Sequence, residues 1–352
     1  MHKSLAAHLP LVALRNISLT SADKLEGAVI TVLCGGVGAA RFLSGLCEVV
    51  DPSRITGIVN VGDDSVIHGL HISPDLDTIT YTLAGSMNTE TGWGLRDESW
   101  NAMETLRFYG AANSIDRSDP LTGEATGWFS LGDRDLGTHL YRTSRLRGGA
   151  TLSQVTREIT SAWGLRLSLT PVTDDRLQTR LDRPDGSELA FQEYFVRERH
   201  DVTVSGIRFV GAADCTPAVG VLDAIHNAET VCIAPSNPLI SIDPILAVPG
   251  VRDALAEARG RVVAISPIVG GAAIKGPADA LMRDLGFEAS VIAIAAMYTD
   301  IASTLVIDAV DSAHAREVEA HGMRCVVTDT IMSRPGVGAS LAQACLDPSS
   351  GR

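Results

Sequence analysis

The sequence predicts an α/β protein with a Rossmann-like, doubly wound and mostly parallel sheet and an inserted α+β lid region. Three observations support this fold class. Short apolar runs alternate with helical patterns near both ends of the chain, the first run ends at a glycine-rich turn, and the middle of the chain loses the alternation. Strands that alternate with helices are typical of parallel sheets, so the two outer parts are predicted to share one sheet.

The first predicted unit is a β-α-β crossover. Residues 29–34 form a continuous apolar run, which is typical of a strand buried on both faces. Residues 39–50 place apolar side chains at helical spacing, and residues 55–61 form a second apolar run. Such a connection between parallel strands should be right-handed. After Asp77, residues 78–84 are predicted to continue as a short helix.

The remaining elements divide the chain into a core, an insertion and two terminal segments. The predicted core comprises residues 29–95 and 229–335, with further strands at 230–234, 261–265, 304–308 and 324–329 and helices at 244–258, 277–285 and 313–321. The predicted lid or second lobe comprises residues 96–228, with helices at 97–109 and 152–163, a hairpin at 177–197, a strand at 202–210 and a polar loop at 114–127. Residues 1–28 are predicted to be an N-terminal extension, for which disorder is one interpretation, and residues 336–352 a C-terminal helix and tail.

Composition excludes several classes of partner. The chain has 352 residues and a net charge of −13, and it lacks a block of Lys or Arg, which argues against a nucleic-acid partner. No uninterrupted apolar run reaches the length of a membrane span. The six cysteines show neither a C-x-x-C pair nor zinc spacing, and this pattern favours a reducing, cytoplasmic location.

The glycine-rich turn after the first strand is a candidate phosphate site. Gly35, Gly36 and Gly38 lie between a strand and a helix, where backbone amides at the helix start can face an anion. The dinucleotide fingerprint requires Gly or Ala at the position that Arg41 occupies, so this fingerprint is absent. A tight structural turn without a ligand remains an alternative.

Four carboxylates follow the second strand. Asp63 and Asp64 come directly after it, and Asp75 and Asp77 lie a few residues further on. If residues 75–77 are extended, both acids of that pair point to one side. Acids gathered at one place repel one another unless a cation intervenes, and oxygen ligands of this kind suit Mg²⁺, which also bridges phosphates. Alternatively, Asp75 caps a helix that begins near Leu76, and Asp63 and Asp64 are solvated turn residues.

Three later segments add candidate substrate contacts. Asp133 could be a ligand or base and Arg134 a phosphate fork, although Asp133 could equally be a helix N-cap. Three residues, Ser236, Asn237 and Pro238, form a strand-end loop that could contact a nucleotide, or only a turn opener. A second strand-end loop carries the following two candidates for a phosphate contact: Gly270 and Lys275.

Nine short motifs follow one another along the chain: 35–43 (GGVGAARFL), 59–64 (VNVGDD), 73–78 (SPDLDT), 92–94 (GWG), 131–135 (LGDRD), 191–193 (FQE), 234–238 (APSNP), 266–271 (SPIVGG) and 275–277 (KGP). With these motifs in this order, the chain resembles the 2-phospho-L-lactate transferase family of deazaflavin coenzyme F420 biosynthesis over residues 29–329. The resemblance implies a Rossmann-like core, a homodimer and dependence on Mg²⁺. It also implies transfer of a phosphorylated small acid (2-phospho-L-lactate, phosphoenolpyruvate or 3-phosphoglycerate) from a guanosine diphosphate carrier to the deazaflavin alcohol Fo, with release of GMP.

The same resemblance suggests roles for individual residues. It makes Asp77 the candidate contact to Fo, and Asp63 and Asp75 candidates for a metal ligand or a base. The glycine turn and the loop at residues 236–238 are expected to hold the donor.

Two other functions remain open at this stage. One is a nucleotide-sugar-binding regulatory protein of the related gluconeogenesis-factor type. The other is a nicotinamide dehydrogenase with Asp63 on the ribose, against which Arg41 argues.

Overall fold

The computed structural model describes residues 29–89, 92–114 and 128–347. The predicted N-terminal extension at residues 1–28 lies outside these ranges, as do the last five residues of the tail. The predicted polar loop at residues 114–127 also lies outside them, apart from Ser114. In the described part of the chain, no helix is long and apolar enough to cross a membrane.

Strands and helices alternate along most of the described chain. The strands are β1 (Ile30–Cys34), β2 (Ile55–Val59), β3 (Ser65–Ile67), β4 (Leu70–Ile72), β5 (Ser168–Pro171), β6 (Gln178–Asp182), β7 (Glu188–Ala190), β8 (Gly206–Val210), β9 (Thr230–Ile233), β10 (Val262–Ile265), β11 (Ile268–Val269), β12 (Ala272–Ala273), β13 (Thr304–Asp308) and β14 (Arg324–Thr328). The α-helices are α1 (Gly36–Val49), α2 (Pro74–Leu83), α3 (Asn101–Ala112), α4 (Asp135–Arg147), α5 (Leu152–Ala162), α6 (Val221–Asn227), α7 (Asp243–Leu246), α8 (Val251–Glu257), α9 (Ala278–Asp284), α10 (Val291–Tyr298), α11 (Ala315–Ala320) and α12 (Val337–Leu346).

A seven-stranded parallel sheet forms the centre of the described structure, in the order β14-β13-β10-β9-β1-β2-β5. From β1 the chain moves outward through β2 to β5, and it then returns to β9 and continues outward to β14. The direction of winding therefore reverses between β1 and β9. In doubly wound sheets, ligands bind beyond the carboxyl ends of the strands at this reversal. The predicted Rossmann-like fold class is confirmed.

The apolar runs identified in the sequence occupy the centre of the sheet because both of its faces are covered. Every residue of β1 and of β13 is buried, as expected for a strand between two layers of helices. Helices α1 and α12 pack so closely that a Cβ atom on Gly45 would collide with the backbone of Gly338. Among the described residues, the last helix therefore lies directly against the first.

The inserted segment contains smaller sheets beside the central one. Strands β7, β6 and β8 form an antiparallel sheet, and β3 and β4 form a hairpin. The backbone amide of Thr179 in β6 donates a hydrogen bond of 2.7 Å to the carbonyl oxygen of Gly62. The antiparallel sheet thus contacts the loop that follows β2.

Three local expectations differ from the structure. Strand β5 lies inside the predicted insertion at residues 96–228, yet it pairs with β2 at the edge of the central sheet. The helix predicted at 244–258 is two helices, α7 and α8, because Gly250 adopts φ 83° between them. Helix α2 begins at Pro74 rather than after Asp77, since Ser73 and Pro74 form the start of a helix.

Candidate active site

The glycine turn lies at the point where the winding of the sheet reverses. Gly35 and Gly36 follow β1, and the hydroxyl of Ser236, beyond the end of β9, donates a hydrogen bond of 2.7 Å to the carbonyl oxygen of Gly35. A Cβ atom at Gly38 would collide with the carbonyl oxygen of Pro235. Glycine at position 38 therefore allows helix α1 to approach the loop after β9.

The start of helix α1 faces a carboxylate of the protein itself. A Cβ atom at Gly35 would lie 2.7 Å from Oδ2 of Asp75 and 2.8 Å from Cβ of Ser241, so only glycine fits there. The backbone amide of Gly36, which adopts φ 71°, faces the Asp75 carboxylate and lowers its pKa. The expected phosphate-facing amide at this position is therefore directed at Asp75.

Asn60, directly after β2, connects two of the carboxylates. Its Nδ2 donates to Oδ2 of Asp75 at 2.9 Å and to Oδ1 of Asp63 at 3.2 Å. Its Oδ1 accepts a hydrogen bond of 2.8 Å from the backbone amide of Gly62. Asn60 is itself buried, so its amide fixes the distance between the two carboxylates. Sequence reasoning did not assign this residue, although its place at the end of a buried strand was a usable signal.

The carboxylates of Asp63, Asp64 and Asp75 carry raised pKa values. Burial raises the pKa of Asp63, and the charges of Asp75, Asp64 and Asp77 add to this effect. Burial also raises the pKa of Asp64 and raises that of Asp75 to about 6. The first two acids are therefore not the solvated turn residues of the alternative interpretation. Removal from water together with mutual repulsion makes the ionised cluster unfavourable without added positive charge.

Only one of the two carboxylate oxygens of Asp64 has a hydrogen-bond partner. Its Oδ2 accepts a hydrogen bond of 2.7 Å from the hydroxyl of Ser73, the residue before helix α2. Its Oδ1 is buried and has no hydrogen-bond partner. A buried carboxylate oxygen without a partner is costly, and it is suited to accept from a ligand or to bind a cation.

Asp77 lies on a different face of helix α2 from Asp75. Residues two positions apart in a helix do not share a face, so the expected extended arrangement of residues 75–77 is wrong. Asp77 accepts two hydrogen bonds from the guanidinium of buried Arg142 on helix α4, one of them at 3.0 Å between Nη1 and Oδ2. The charge of Asp77 nevertheless raises the pKa of Asp63 and of Asp64. All four acids therefore interact.

A buried polar network extends from Asp77 along helix α4. Nδ1 of His139 lies 3.3 Å from Nη1 of Arg142. Nε2 of His139 lies 3.3 Å from Oδ2 of Asp135. The hydroxyl of Tyr81 donates to Oδ1 of Asp135 at 2.7 Å. The network joins helices α2 and α4 below the carboxylate cluster.

Asp133 and Arg134 occupy structural positions. The carboxylate of Asp133 accepts hydrogen bonds from Ser99, from the side chain and amide of Asn101 and from the amide of Ala102, and these lower its pKa to about 2. It therefore caps helix α3, not the helix that follows it. The side chain of Arg134 donates to the carbonyl oxygen of Arg96. The structure thus gives Asp133 a capping role and Arg134 a contact to the backbone, and their substrate contacts stay predictions.

The other predicted contacts are distributed over two loops. The side chain of Asn237 accepts from the amide of Leu239 at 3.0 Å, while its Nδ2 is buried without a partner. Pro238 begins a π-helical turn, Pro238–Ile242, beside the glycine turn. The amide of Gly270 donates to Asp311 at 2.9 Å.

Lys275 lies against Gly92, where a Cβ atom would meet its ammonium group. The structure thus associates Lys275 with the Gly92–Gly94 turn.

Two further residues connect this site to the rest of the fold. Nε2 of buried Gln192, which follows β7, donates to the carbonyl oxygen of Asp63 at 2.9 Å. Arg142 pairs with Asp77 as described. The Phe-Gln-Glu motif and the position of Arg142 were visible in the sequence, but their partners are more than 60 positions away along the chain.

The carboxylate cluster fits a divalent metal ion through its oxygen donors. Among the residues that the structure describes, no group of three or more His, Cys, Asp or Glu side chains forms a ready-made metal site. Mg²⁺ does not need such a group, since it is commonly held by one or two carboxylates, water and substrate phosphates. Asp63 and Asp75, joined by the Asn60 amide, have the donor chemistry for such a site, and the unpartnered Oδ1 of Asp64 lies within the same charged cluster.

Comparison with known proteins identifies the family of this chain. The family model described as 2-phospho-L-lactate transferase CofD matches residues 30–342. Phosphoenolpyruvate transferase from Streptomyces griseus subsp. griseus is 42% identical over 322 residues, which cover 90% of this chain and 97% of that protein. Phosphoenolpyruvate transferases from Nocardia farcinica and Mycolicibacterium smegmatis are 40% and 39% identical, and the matches cover 91% and 90% of this chain and 95% and 98% of those proteins.

Solved structures support the fold. The crystal structure of protein BH3568 from Bacillus halodurans superposes with a TM-score of 0.57 at 17% identity and covers 91% of this chain and 99% of that chain. A second crystal structure of BH3568, described as a member of the UPF0052 family, has the same TM-score at 18% identity, with the same coverage of both chains. At this identity the likeness concerns the fold alone. The match to the family model over most of the chain and the relatives near 40% identity show that the chain belongs to the 2-phospho-L-lactate transferase (CofD) family.

Proposed function

We propose that this protein transfers a phosphorylated three-carbon acid from its guanosine diphosphate carrier to the ribityl hydroxyl of Fo, and that GMP is released, in the biosynthesis of coenzyme F420. The observation that carries the proposal is the convergence of four interacting carboxylates beside a glycine turn, where the winding of the sheet reverses. In a family of transferases, this is a suitable place for a diphosphate.

The transferred acid is proposed to be phosphoenolpyruvate. The relatives that cover nine tenths of this chain near 40% identity are named phosphoenolpyruvate transferases. 2-Phospho-L-lactate, the acid in the family's description, and 3-phosphoglycerate are the competing donors, and they differ from phosphoenolpyruvate by only a few atoms. Direct comparison of the three donors is therefore part of the test below.

Mg²⁺ is the proposed cofactor. Asp63 and Asp75 would hold it, and Asn60 would keep the two carboxylates in place through hydrogen bonds of 3.2 and 2.9 Å. When bound, the ion would neutralise charge on the diphosphate of the donor. The raised pKa values of Asp63 and Asp75 support this assignment, because a cation relieves the repulsion between two buried acids.

The proposed reaction is an in-line displacement at phosphorus. The ribityl oxygen forms a bond to the phosphorus that carries the acid, the bond from this phosphorus to the bridging oxygen breaks, and GMP leaves with that oxygen. Asp77 orients the hydroxyl and accepts its proton. Such transfers need alignment and charge neutralisation more than covalent help from the protein.

The test measures transfer directly. Purified protein is incubated with Fo, Mg²⁺ and the guanosine diphosphate derivative of each acid in turn. GMP is quantified by chromatography, and the molecular mass of the product is determined by mass spectrometry. We expect GMP and phosphoenolpyruvyl-Fo in equal amounts. The Asp133→Asn variant serves as the control, since Asp133 caps a helix and should not be needed for transfer. Absence of GMP with all three donors would reject the proposed function.

We further propose a cytoplasmic homodimer. The location is supported by the cysteines, all six of which are free in the structure. The dimer rests on the resemblance to the family, and its direct test is the molar mass in solution by light scattering.

A further inference from the structure

Arg142 is one of the largest fully buried side chains of the described structure, with 2% of its surface exposed. From helix α4 its guanidinium reaches both carboxylate oxygens of Asp77 in helix α2. Nη1 also donates to the carbonyl oxygen of His71 in β4 at 3.4 Å. One side chain therefore connects the helix that carries Asp75 and Asp77 to two other elements of the site.

The charge of Arg142 acts beyond Asp77. It lowers the pKa of Asp64, whereas the charge of Asp77 raises it. Arg142 thus supplies positive charge from the protein to the acidic cluster described above. Burying a guanidinium is unfavourable unless its charge and its hydrogen bonds are used.

We infer that Arg142 is a positioning residue for transfer: it fixes the direction of the Asp77 carboxylate through its two-point contact, and it acts on the reaction through Asp77. This inference rests on the proposed function. Its basis is the two-point contact between a planar guanidinium and a carboxylate, which fixes direction as well as distance. Lysine keeps the charge but offers no such fork, so the two residues are not equivalent at this site.

A purely structural buried ion pair predicts a different result from a positioning pair. If Arg142 only stabilises the fold, variants that fold normally should turn over normally. If it positions Asp77, its loss should lower kcat while the KM of the donor changes little, and the loss should matter only while Asp77 retains its carboxylate. A double-mutant cycle therefore distinguishes the positioning role from the structural role, because it measures whether the effects of the Arg142 and Asp77 substitutions on kcat depend on each other.

The experiment compares Arg142→Lys, Arg142→Met, Asp77→Asn and the double variant Asp77→Asn/Arg142→Met. GMP release is measured over a range of donor concentrations to give kcat and the KM of the donor, Fo binding is followed by the fluorescence of Fo, and folding is checked by circular dichroism. The double variant removes both charges of the Asp77–Arg142 pair, so it leaves neither partner unpaired and stays measurable even if Arg142→Met alone folds poorly. Arg145→Met is the matched control, because Arg145 lies on the exposed side of the same helix and pairs with Glu158.

We expect Arg142→Met to lower kcat about 100-fold and Arg142→Lys to lower it about 10-fold, since a displacement of about 1 Å near a reacting group has effects of this size. In the Asp77→Asn background, the Arg142→Met change should cost less than about threefold. Arg145→Met should behave as the wild type.

Wild-type turnover in folded Arg142→Lys and Arg142→Met would overturn the inference and leave the proposed function intact. An equally large loss from Arg142→Met in the presence and absence of the Asp77 carboxylate would also overturn it, because Arg142 would then not act through Asp77. Absence of GMP release from the wild type would instead reject the proposed function, and the inference with it.

Discussion

Replacement of Asp75 by Asn should stabilise the metal-free protein and abolish transfer. The pKa of Asp75 rises from the ordinary value of 3.8 to about 6, chiefly through burial. Each pKa unit corresponds to about 1.36 kcal/mol, so ionisation of this buried carboxyl destabilises the folded state by about 3 kcal/mol at pH 7.5. Asparagine cannot accept at both positions where Asp75 accepts from Asn60 and Gly36, which costs about 1 kcal/mol. The expected net gain is about 2 kcal/mol.

The pH dependence of this gain has a definite sign. Between pH 3.8 and about 6 the folded protein holds a proton on Asp75 that the unfolded chain has already released. The contribution of this group to stability therefore falls as the pH rises through that window, and it is fully unfavourable above the folded pKa. Asp75→Asn removes this penalty, so its advantage over the wild type should grow from pH 5.5 to pH 7.5.

The assay is urea unfolding monitored by circular dichroism. One set of samples contains EDTA, and a parallel set contains added Mg²⁺. Mg²⁺ should stabilise the wild type and have little effect on Asp75→Asn. The control is Asp133→Asn, whose effect should have the opposite sign, because hydrogen bonds lower the pKa of Asp133 to about 2. A metal-free Asp75→Asn protein that is less stable than the wild type at pH 7.5 would refute the electrostatic reasoning.

Three further outcomes are expected. Gly38→Ala should lower the free energy of unfolding by about 1–3 kcal/mol in urea titrations, because the added Cβ atom would collide with the carbonyl oxygen of Pro235. Gly137→Ala is the control and should leave the free energy of unfolding unchanged or raise it, because the added atom meets nothing within 4 Å. Equal effects of the two substitutions would contradict this prediction. Asp77→Asn should retain the fold by circular dichroism and slow GMP release at least about 100-fold, to a rate that is still measurable, and near-normal turnover would exclude its role. Asn60→Ala should weaken Mg²⁺ binding about 10–100-fold by calorimetry, since it removes the amide that spaces two proposed ligands, and unchanged affinity would reject that spacing role.

The central sheet was predictable because its strands carry their own signal. Continuous apolar runs such as β1 and β13 need cover on both faces, and this requirement favours a parallel sheet between helices. The four residues of β5, Ser-Leu-Thr-Pro, carry no such signal. They become a strand only through pairing with β2, more than a hundred residues earlier, and this pairing is a tertiary effect.

The acidic residues of the site were predictable as a group, whereas their individual partners were not. Four carboxylates near one strand end indicate a cation or phosphate site whatever their directions. The direction of Asp75 and Asp77 depends on the helix that begins at Pro74, and the pairing of Asp77 depends on Arg142, which is 65 positions away. Asp133 is a similar case, since the helix that it caps begins 32 residues before it.

The contact between Gly45 and Gly338 has a consequence for biosynthesis of the chain. Helix α1 emerges from the ribosome long before α12, which begins at Val337 and covers it. The β1-α1-β2 crossover therefore cannot complete its packing until α12 has been synthesised, and a truncation that removes α12 would disturb the helix that follows β1.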